Sequence, residues 1–487
     1  MRPTLSIILC LLFTPIALAA NETESRFNPK LKGCYLGVII EETKEGILLK
    51  EVSEGSAAEN AGLEKDDIIV RFGDWRFKKG TKKFQDYLAN LEPKKTIAQV
   101  LRDGSELDLE IKPDPSIARD AKEIARLISK NLLFRKKLQT RNSDLENSLI
   151  EAVRASSYRE NAYESMNEIV DSFKISHTAV ITPWVAKNLF GEGDKFHLGL
   201  FLQIVNLDGK DRFFIRSMMH GSPARETGLW IGDEITSINK IPTPKSPRKT
   251  LSGYEHHRKM YTIQIDKGET VEIAFRRNEN GSIQKAKLTA NVPLSAKKSI
   301  EESARLMPLS REHDAGYIHL WNLMTMSNAS ALRAAMNYKF KNASALIIDL
   351  RGRGGKVNVI RSISRTLKEQ KKPTVLIIDR EARSAKEMLA HRLQGLKHIT
   401  LVGEVSAGAV LPASFYELSG DAKFMIPNRG GDSQLLRFMK DTRLEGRGAI
   451  PDVNVKFELP FSEGKDLILL KAINILKKDT LGKLMRI

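Results

Sequence analysis

The last third of the chain alternates short, almost wholly apolar runs with helical patterns, and this alternation limits the fold more than any other feature. The apolar runs lie at 316–320, 345–350, 374–378 and 399–402, and helical patterns at 328–338, 357–367 and 385–394 separate them. Such runs, joined by helices, are typical of a largely parallel sheet covered on both faces. We therefore expect an α/β core over residues 294–487, with ligands at the carboxyl ends of its strands.

Two earlier segments repeat one order of short strand, helical turn and second strand. The first has Gly-Ser-Ala-Ala at 55–58, Gly-Leu at 62–63 and Asp-Asp-Ile-Ile at 66–69; the second has Gly-Ser-Pro-Ala at 221–224, Gly-Leu at 228–229 and Gly-Asp-Glu-Ile at 232–235. The Ser is expected to cap the helical turn and the Gly to end it. This order resembles a PDZ domain in both places, which predicts PDZ-like modules over residues 21–112 and 191–293.

A PDZ-like module binds peptide through an apolar-Gly-apolar loop and the strand that follows it. The loop presents backbone N–H groups to a terminal carboxylate, and the strand adds the peptide to the sheet. The predicted peptide-binding residues are Leu36, Gly37 and Val38 in the first module, and Leu198, Gly199 and Leu200 in the second. Alternatively, either module only spaces or orients its neighbours.

Between the modules, residues 113–190 have a helical period with one apolar stripe. The stripe includes Ile124, Ile128, Leu149 and Val153, and the segment closes with Ser176-His177.

Residues 1–20 have the pattern of a secretory signal peptide: Arg2, an apolar stretch over 5–13 and Ala-Leu-Ala at 17–19. No later run reaches the ~18 apolar residues that a membrane span needs. Cys34 is the one thiol left after cleavage, so no intrachain disulfide is expected. These features predict an exported protein, periplasmic or secreted.

The 78 Lys and Arg against 60 Asp and Glu give a net charge of +18. The basic residues are scattered, with no basic run interleaved with aromatics, so no nucleic-acid partner is expected, although an acidic polymer is a second alternative partner. His256 and His257 have no further ligand at metal-site spacing, so we predict no metal and no cofactor. Protein or peptide substrates are the expected partners, and a homo-oligomer is compatible with the sequence.

Two strand ends in the α/β segment have unusual chemistry. The loop Asp-Leu-Arg-Gly-Arg-Gly-Gly at 349–355 can turn backbone N–H groups toward a developing oxyanion. Ser384 lies where a strand meets a helix, and a helix N-terminus favours negative charge there. Ser384 is therefore the candidate nucleophile.

Five motifs between 316 and 455 resemble the C-terminal processing (tail-specific) serine proteases, which have a PDZ domain and a ClpP/crotonase-like core. They are Gly-Tyr-Ile at 316–318, Asp-Leu-Arg-Gly-x-Gly-Gly at 349–355, Ser-x-x-Glu at 384–387, Gly-Glu-x-Ser-x-Gly at 403–408 and Gly-x-x-Pro-Asp at 448–452. That family takes its base from a Lys after the fourth motif, but this chain has Ala409 there.

The tricorn-core branch resembles these proteases but takes its base from an upstream Ser-His pair, with a Glu following the Ser motif. By that resemblance, Ser384 is the nucleophile, His177 the base, and Ser176 and Glu445 the supporting groups. The oxyanion donors would be the N–H groups of Ala385 and of Gly354 or Gly355.

Two other candidate bases are less favourable. Lys386 is two residues from Ser384 on a helix and would not face it. His319 lies on a predicted central strand, where a satisfied core histidine is expected.

The sequence thus predicts an exported serine endopeptidase that works through an acyl-enzyme. The alternative is a catalytically inactive PDZ scaffold on a degenerate protease fold, which the missing Lys at Ala409 favours.

Overall fold

The structure is a computed structural model that describes residues 30–77, 80–131, 133–134, 138, 145–187, 196–243, 251–255, 260–263, 265–427 and 442–484. These residues form two β-rich modules, a helical region and a mostly parallel α/β core, which confirms the predicted fold class. The predicted signal peptide and His256-His257 lie outside the described residues. None of the described helices is long and apolar enough to cross a membrane.

The first module is an antiparallel sheet in the order β2-β3-β4-β6-β7, with β5 on β4. Its elements are β2 (Val38–Glu42), β3 (Ile47–Val52), α1 (Ala57–Asn60), β4 (Ile68–Phe72), β5 (Trp75–Arg76), α2 (Thr81–Asn90), β6 (Thr96–Arg102) and β7 (Ser105–Ile111). The Ser56 hydroxyl accepts the Glu59 N–H at 3.2 Å, which confirms the predicted cap. Strand β2 lies at the edge of this sheet.

The second module has a larger sheet in the order β14-β15-β10-β11-β12-β16-β17, with β13 on β12. Its elements are β10 (Leu200–Leu207), β11 (Lys210–Met218), α7 (Pro223–Glu226), β12 (Glu234–Ile238), β13 (Ile241–Pro242), β14 (Leu251–Glu255), β15 (Met260–Ile263), β16 (Thr270–Arg276) and β17 (Gln284–Thr289). The predicted side-chain cap at Ser222 is wrong. The Arg225 N–H donates instead to the Ser222 backbone carbonyl at 3.0 Å.

The helical region contains α3 (Ala118–Lys130), α4 (Leu145–Arg154), α5 (Arg159–Asp171), the short strand β9 (Ala179–Ile181) and α6 (Pro183–Val185). The predicted apolar stripe is buried, and it packs around Tyr163 and against Phe424. A small ribbon of β1 (Cys34–Tyr35) and β8 (Asp114–Pro115) joins this region to the first module. Arg154 strengthens that junction, with Nε 2.6 Å from Asp114 Oδ1.

The α/β core is a sheet in the order β18-β19-β20-β21-β22-β25, parallel from β19 onward. Its strands are β18 (Arg305–Pro308), β19 (Asp314–His319), β20 (Ala345–Asp349), β21 (Thr374–Ile378), β22 (Ile399–Gly403) and β25 (Val453–Asn454). One face packs on α8 (Ala296–Ser303), α9 (Met326–Asn337), α10 (Val357–Glu369) and α11 (Ala385–Leu393). The other face packs on α12 (Leu467–Leu484).

A second, three-stranded sheet links the helical region to the core. Strand β24 (Lys423–Pro427) pairs with β23 (Ala413–Glu417) on one side and with β9 on the other. The segment after Ser176-His177 is therefore hydrogen-bonded to a hairpin of the core.

A buried arginine joins the second module to the core. Arg216 on β11 has Nη2 3.1 Å from Asp379 Oδ2, and its Nε bonds to Glu381. Its guanidinium carbon lies 3.9 Å from the centre of the Phe457 ring. Asp379 and Glu381 follow β21 directly, so this contact anchors the loop that leads to Ser384.

Replacing Arg216 by Met should lower the free energy of unfolding by about 3–5 kcal/mol, because the two buried carboxylates lose their counter-ion. Urea unfolding of the full chain measures this loss. Arg126→Met is the control, since Arg126 makes an exposed pair with Glu123 and should change stability little. Equal stability of both variants would contradict the anchoring role.

Candidate active site

Ser384 has a strained backbone at the start of α11. Its φ of 54° and ψ of −121° lie in a backbone region that residues other than glycine rarely adopt. Such strain costs roughly 1–3 kcal/mol and persists only where surrounding structure enforces it. The turn places Ser384 at the carboxyl end of the parallel sheet, after β21, as the sequence predicts.

The buried carboxylate of Glu387 enforces this turn. Its Oε2 accepts the backbone N–H groups of Ser384 and Ala409, both at 2.9 Å. Its Oε1 accepts the Ser406 hydroxyl at 2.7 Å and the Gly408 N–H at 2.6 Å. Burial raises the pKa of Glu387, while these four donors oppose that rise by stabilising the carboxylate.

Two backbone features lie next to Ser384, where the sequence predicts an oxyanion site. The Ala385 N–H opens α11, and no described residue accepts a hydrogen bond from it. A Cβ on Gly354 would lie 3.0 Å from the Ser384 Cβ and 2.9 Å from the Arg383 carbonyl oxygen. The glycine thus brings its backbone against the serine, where a side chain would clash.

Gly355 lies in a short parallel bridge with Leu323. The Leu323 N–H donates to Gly354 O at 3.0 Å, and its carbonyl accepts the Lys356 N–H at 2.8 Å. Because neighbouring residues of an extended chain alternate in direction, the Gly355 N–H faces away from Leu323. Both predicted glycines are thus held in a fixed register beside the serine turn.

Glu445 binds the loop that also holds Ser384. Its Oε2 accepts the N–H groups of Val410 and Leu411, at 2.7 and 3.1 Å. The carbonyl of Ala409, the preceding residue, accepts the Ser384 N–H at 2.8 Å. Ala409, which stands in place of the expected Lys, is therefore adjacent to Ser384. Glu445 binds the next residue of the same loop, Val410.

Ser176 and His177 form a turn between α5 and β9. The Ser176 hydroxyl is 3.3 Å from His177 Nδ1, and His177 itself has a positive φ of 56°. The imidazole is half-buried. Strand β9, which follows this pair, is hydrogen-bonded to β24, and β24 is hydrogen-bonded to β23. Strand β23 begins two residues after Leu411, in the loop that contacts Ser384.

Lys386 and His319, the two bases disfavoured from the sequence, are both engaged in structural bonds. The buried Lys386 ammonium donates to the carbonyls of Trp321 and Arg351, at 3.0 and 2.8 Å. His319 Nε2 is 3.2 Å from the same Arg351 carbonyl. Burial lowers the pKa of Lys386 to about 7 and that of His319 to about 4.

Sequence reasoning missed what Glu387 and Lys386 do. The Ser-x-x-Glu spacing is a recognisable capping pattern, and it accounts for the bond from Glu387 to the Ser384 N–H. The bonds from Glu387 to Ser406, Gly408 and Ala409 join segments about twenty residues apart, and no local pattern predicts them. Among the described residues, no group of three potential metal ligands is present.

The two predicted peptide-binding loops lie in different surroundings. In the first module, β2 pairs with β3 on one side, and no strand of the described residues pairs with its other edge. In the second module, β10 pairs with β11 and also with β15, where Phe201 faces Thr262 and Gln203 faces Met260. The Gly199 N–H is also engaged, because it donates to His197 Nδ1 at 3.1 Å.

Comparisons with known proteins agree with this arrangement. Residues 34–112 match the PDZ domain family, and residues 353–455 match peptidase family S41. The chain carries a PDZ domain and an S41 peptidase domain. Ser384, Ala385, Gly354 and Glu445 all lie within the segment that matches family S41.

Relatives that match longer parts of the chain have low sequence identity. It is 23% identical over 256 residues to the carboxy-terminal processing protease CtpA of Bacillus subtilis, covering 47% of this chain and 51% of that protein. It is 21% identical to a carboxyl-terminal-processing protease of Picosynechococcus, covering 66% of this chain and 80% of that protein. The chain spans about half the length of the first of these relatives.

Solved structures also resemble the chain. The photosystem II D1 C-terminal processing protease has a TM-score of 0.43 and 16% identity, covering 75% of this chain and 98% of that one. The tricorn protease has a TM-score of 0.41 and 15% identity, covering 91% of this chain and 46% of that one.

The lowered pKa of Lys386 has a measurable consequence for stability. The unfolded lysine titrates near 10.4, so between about pH 7 and pH 10 the unfolded chain binds more protons, and stability rises with pH. Relative to Lys386→Met, the parent's free energy of unfolding should rise by up to about 1.4 kcal/mol per pH unit in that window. Urea unfolding at pH 7, 8, 9 and 10 measures the difference. Parallel pH profiles would show that the ammonium is not titrating there.

Proposed function

We propose that this chain is an exported serine endopeptidase that cleaves protein or peptide substrates through an acyl-enzyme. The observation that carries the proposal is the strained turn at Ser384, which Glu387 holds in place beside the Ala385 N–H, a donor with no acceptor among the described residues. Strain enforced at a half-buried serine, next to a backbone donor that no described residue pairs with, is typical of a nucleophile and its oxyanion site.

In the proposed reaction, the Ser384 hydroxyl attacks the scissile carbonyl while His177 takes its proton. The N–H of Ala385, with that of Gly354 or Gly355, stabilises the oxyanion that forms. His177 then gives the proton to the leaving amine. Water, activated by the same imidazole, attacks the ester of Ser384 and releases the acyl group.

His177 is the proposed base because neither position 409 nor Lys386 supplies a free amine. The place of the family's Lys is taken by Ala409, next to Ser384. The ammonium of Lys386 is held by the carbonyls of Trp321 and Arg351. Ser176, at 3.3 Å from His177, and Glu445, on the Ser384 loop, are proposed to orient the imidazole.

The first module is the proposed docking site for a substrate's C-terminus or an extended segment. A bound peptide extends a sheet by pairing with a strand edge, and β2, which follows Leu36 and Gly37, has an edge that is not paired with any described strand. The corresponding edge in the second module is paired with β15. We propose that the second module, anchored by Arg216, instead positions the core.

The second candidate function is a scaffold that binds peptides without cutting them. The absence of an amine at Ala409 favours it, since that is the position of the base in the processing proteases that the motifs resemble. In that case the peptide would still dock on β2, but Ser384 would form no acyl-enzyme.

Replacing Ser384 by Ala, or His177 by Ala, should lower cleavage of an unfolded protein by roughly 10³-fold or more, because nucleophile and base act as a unit. Cleavage by the mature chain and by both variants is compared after circular dichroism has shown that all three are equally folded. Ser330→Ala is the control, because Ser330 is an exposed serine on α9 and the variant retains both groups. Equal cleavage by all the chains would place the activity elsewhere, and a folded but silent parent would favour the scaffold.

A negative charge on β2 should repel a peptide's carboxylate. Val38→Asp is expected to weaken binding of a C-terminal peptide at least tenfold, as measured by fluorescence anisotropy on the Ser384→Ala chain. Ile97→Asp is the matched control, because Ile97 lies on β6 of the same sheet and is 37% exposed. Unchanged affinity in Val38→Asp would assign docking to another surface.

A further inference from the structure

A cavity of about 510 Å³ lies between the second module and the carboxyl end of the core sheet. Tyr317, His319 and Leu469 line its core side, and Met218 and Arg225 line its module side. Tyr317 and Leu469 belong to the sheet face covered by α12, whereas α11 packs on the opposite face. The cavity and the Ser384 turn therefore lie at the same end of the sheet, and the core side of the cavity is mainly on the α12 face.

The cavity wall has four arginines and four carboxylates, but two of the arginines hold most of the carboxylates. Arg351 is neutralised by Asp349 and Asp466, with Nη2 2.6 and 2.7 Å from their oxygens. Arg216 is neutralised by Asp379 and Glu381. The acidic side chains of the cavity wall are thus largely committed to these two arginines, or to Lys465 in the case of Glu463.

Two further arginines remain without a counter-ion. No carboxylate of the described residues lies within ion-pair distance of Arg225 or Arg305. Arg305 donates to the Ser303 carbonyl at 3.1 Å, and its guanidinium lies over the Tyr317 ring at 4.0 Å. Arg225 belongs to α7, lines the cavity wall and is exposed to solvent.

The two histidines of the cavity have lowered pKa values, chiefly because they are buried. Burial, together with the nearby Arg225, His319 and Arg305, lowers the pKa of His220 to about 2. His319, 6.0 Å from His220 between ring centres, has its pKa lowered to about 4. Both imidazoles are neutral at pH 7, and the His220 ring can donate a hydrogen bond without adding charge.

The remaining walls are apolar. Met218, Leu229, Trp230 and Trp321 surround the space, and Phe457 closes it beside Arg216. A ligand that fits these walls has an anionic end for the two arginines and an apolar body for the aromatic rings. A monoanion suits the site better than a phosphate dianion, because committed but nearby carboxylates repel a second charge.

We propose that this cavity binds an organic carboxylate with an apolar body, its carboxylate held between Arg225 and Arg305. The ligand is either the C-terminal residue of a peptide or a free carboxylic acid, and both present the same groups. Binding here requires neither the Ser384 hydroxyl nor the β2 edge, so the proposal stands or falls apart from the proposed peptidase activity.

Isothermal titration calorimetry on the full Ser384→Ala chain tests the site with three probes. N-acetylphenylalanine represents a peptide end, its amide removes the charge, and 3-phenylpropionate represents a free acid. We expect N-acetylphenylalanine to bind at least tenfold more tightly than its amide. The R225Q/R305Q double variant should lose that preference, and Arg311→Gln, an exposed arginine outside the cavity, should keep it.

Each outcome decides the proposal. Tight binding of 3-phenylpropionate identifies free acids as ligands, and binding of N-acetylphenylalanine alone identifies peptide ends. The site would be overturned if N-acetylphenylalanine and its amide bind equally tightly, or if neither acid binds at millimolar concentration. It would also be overturned if binding survives in the R225Q/R305Q variant, and that result would assign binding to β2 instead. If the double variant does not fold, Arg225→Gln alone, at the solvent-exposed side chain, must weaken binding. An NMR titration must also show the pKa of His220 rising when the acid is bound.

Discussion

The carboxylate of Glu387 is the interaction on which the candidate site depends. It is buried and accepts four hydrogen bonds, from Ser384 at the head of α11 and from Ser406, Gly408 and Ala409 on the loop after β22. Leaving a buried donor or acceptor without a partner costs about 1–3 kcal/mol. One side chain thus provides the interactions that keep Ser384 in its strained conformation and set the position of the loop bound by Glu445.

The remaining structure supports this turn from both sides. Arg216 of the second module binds the residues between β21 and Ser384. Lys386 donates to the Trp321 carbonyl, in the segment after β19 that contains Leu323. It also donates to the Arg351 carbonyl, in the glycine loop after β20. Two buried cations therefore fix the loops on either side of the turn. The two PDZ-like modules then differ in what they contact: one is built into the core, and the other keeps a strand edge unpaired.

Sequence patterns predict the core well because its rules are local. The run of five buried residues at Thr374–Ile378 and the helix at Ala385–Leu393 follow directly from apolar patterning and capping. Ser384 is predicted for the same reason, since strand, turn and helix are adjacent in the chain. The repeat of Gly, Ser and Asp turns likewise predicts both modules.

What the sequence could not predict depends on contacts between distant segments. The pairing of β15 with β10 joins residues about sixty apart, and it makes the two apolar-Gly-apolar loops unequal although their sequences are alike. Ser222 has the same sequence context as Ser56 but makes no side-chain cap, because the backbone carbonyl takes the N–H instead. The counter-ions of Arg216 and the carbonyl partners of Lys386 are set by packing, which no local pattern encodes.

The most direct test of the central claim is to find where a serine-reactive probe attaches. The mature chain is treated with a fluorophosphonate, digested, and analysed by mass spectrometry. An activated nucleophile at Ser384 predicts a single adduct on the peptide that contains Ser384, with labelling much slower when His177 is replaced by Ala. No adduct on a well-folded chain, or an adduct on a different serine, would contradict the account.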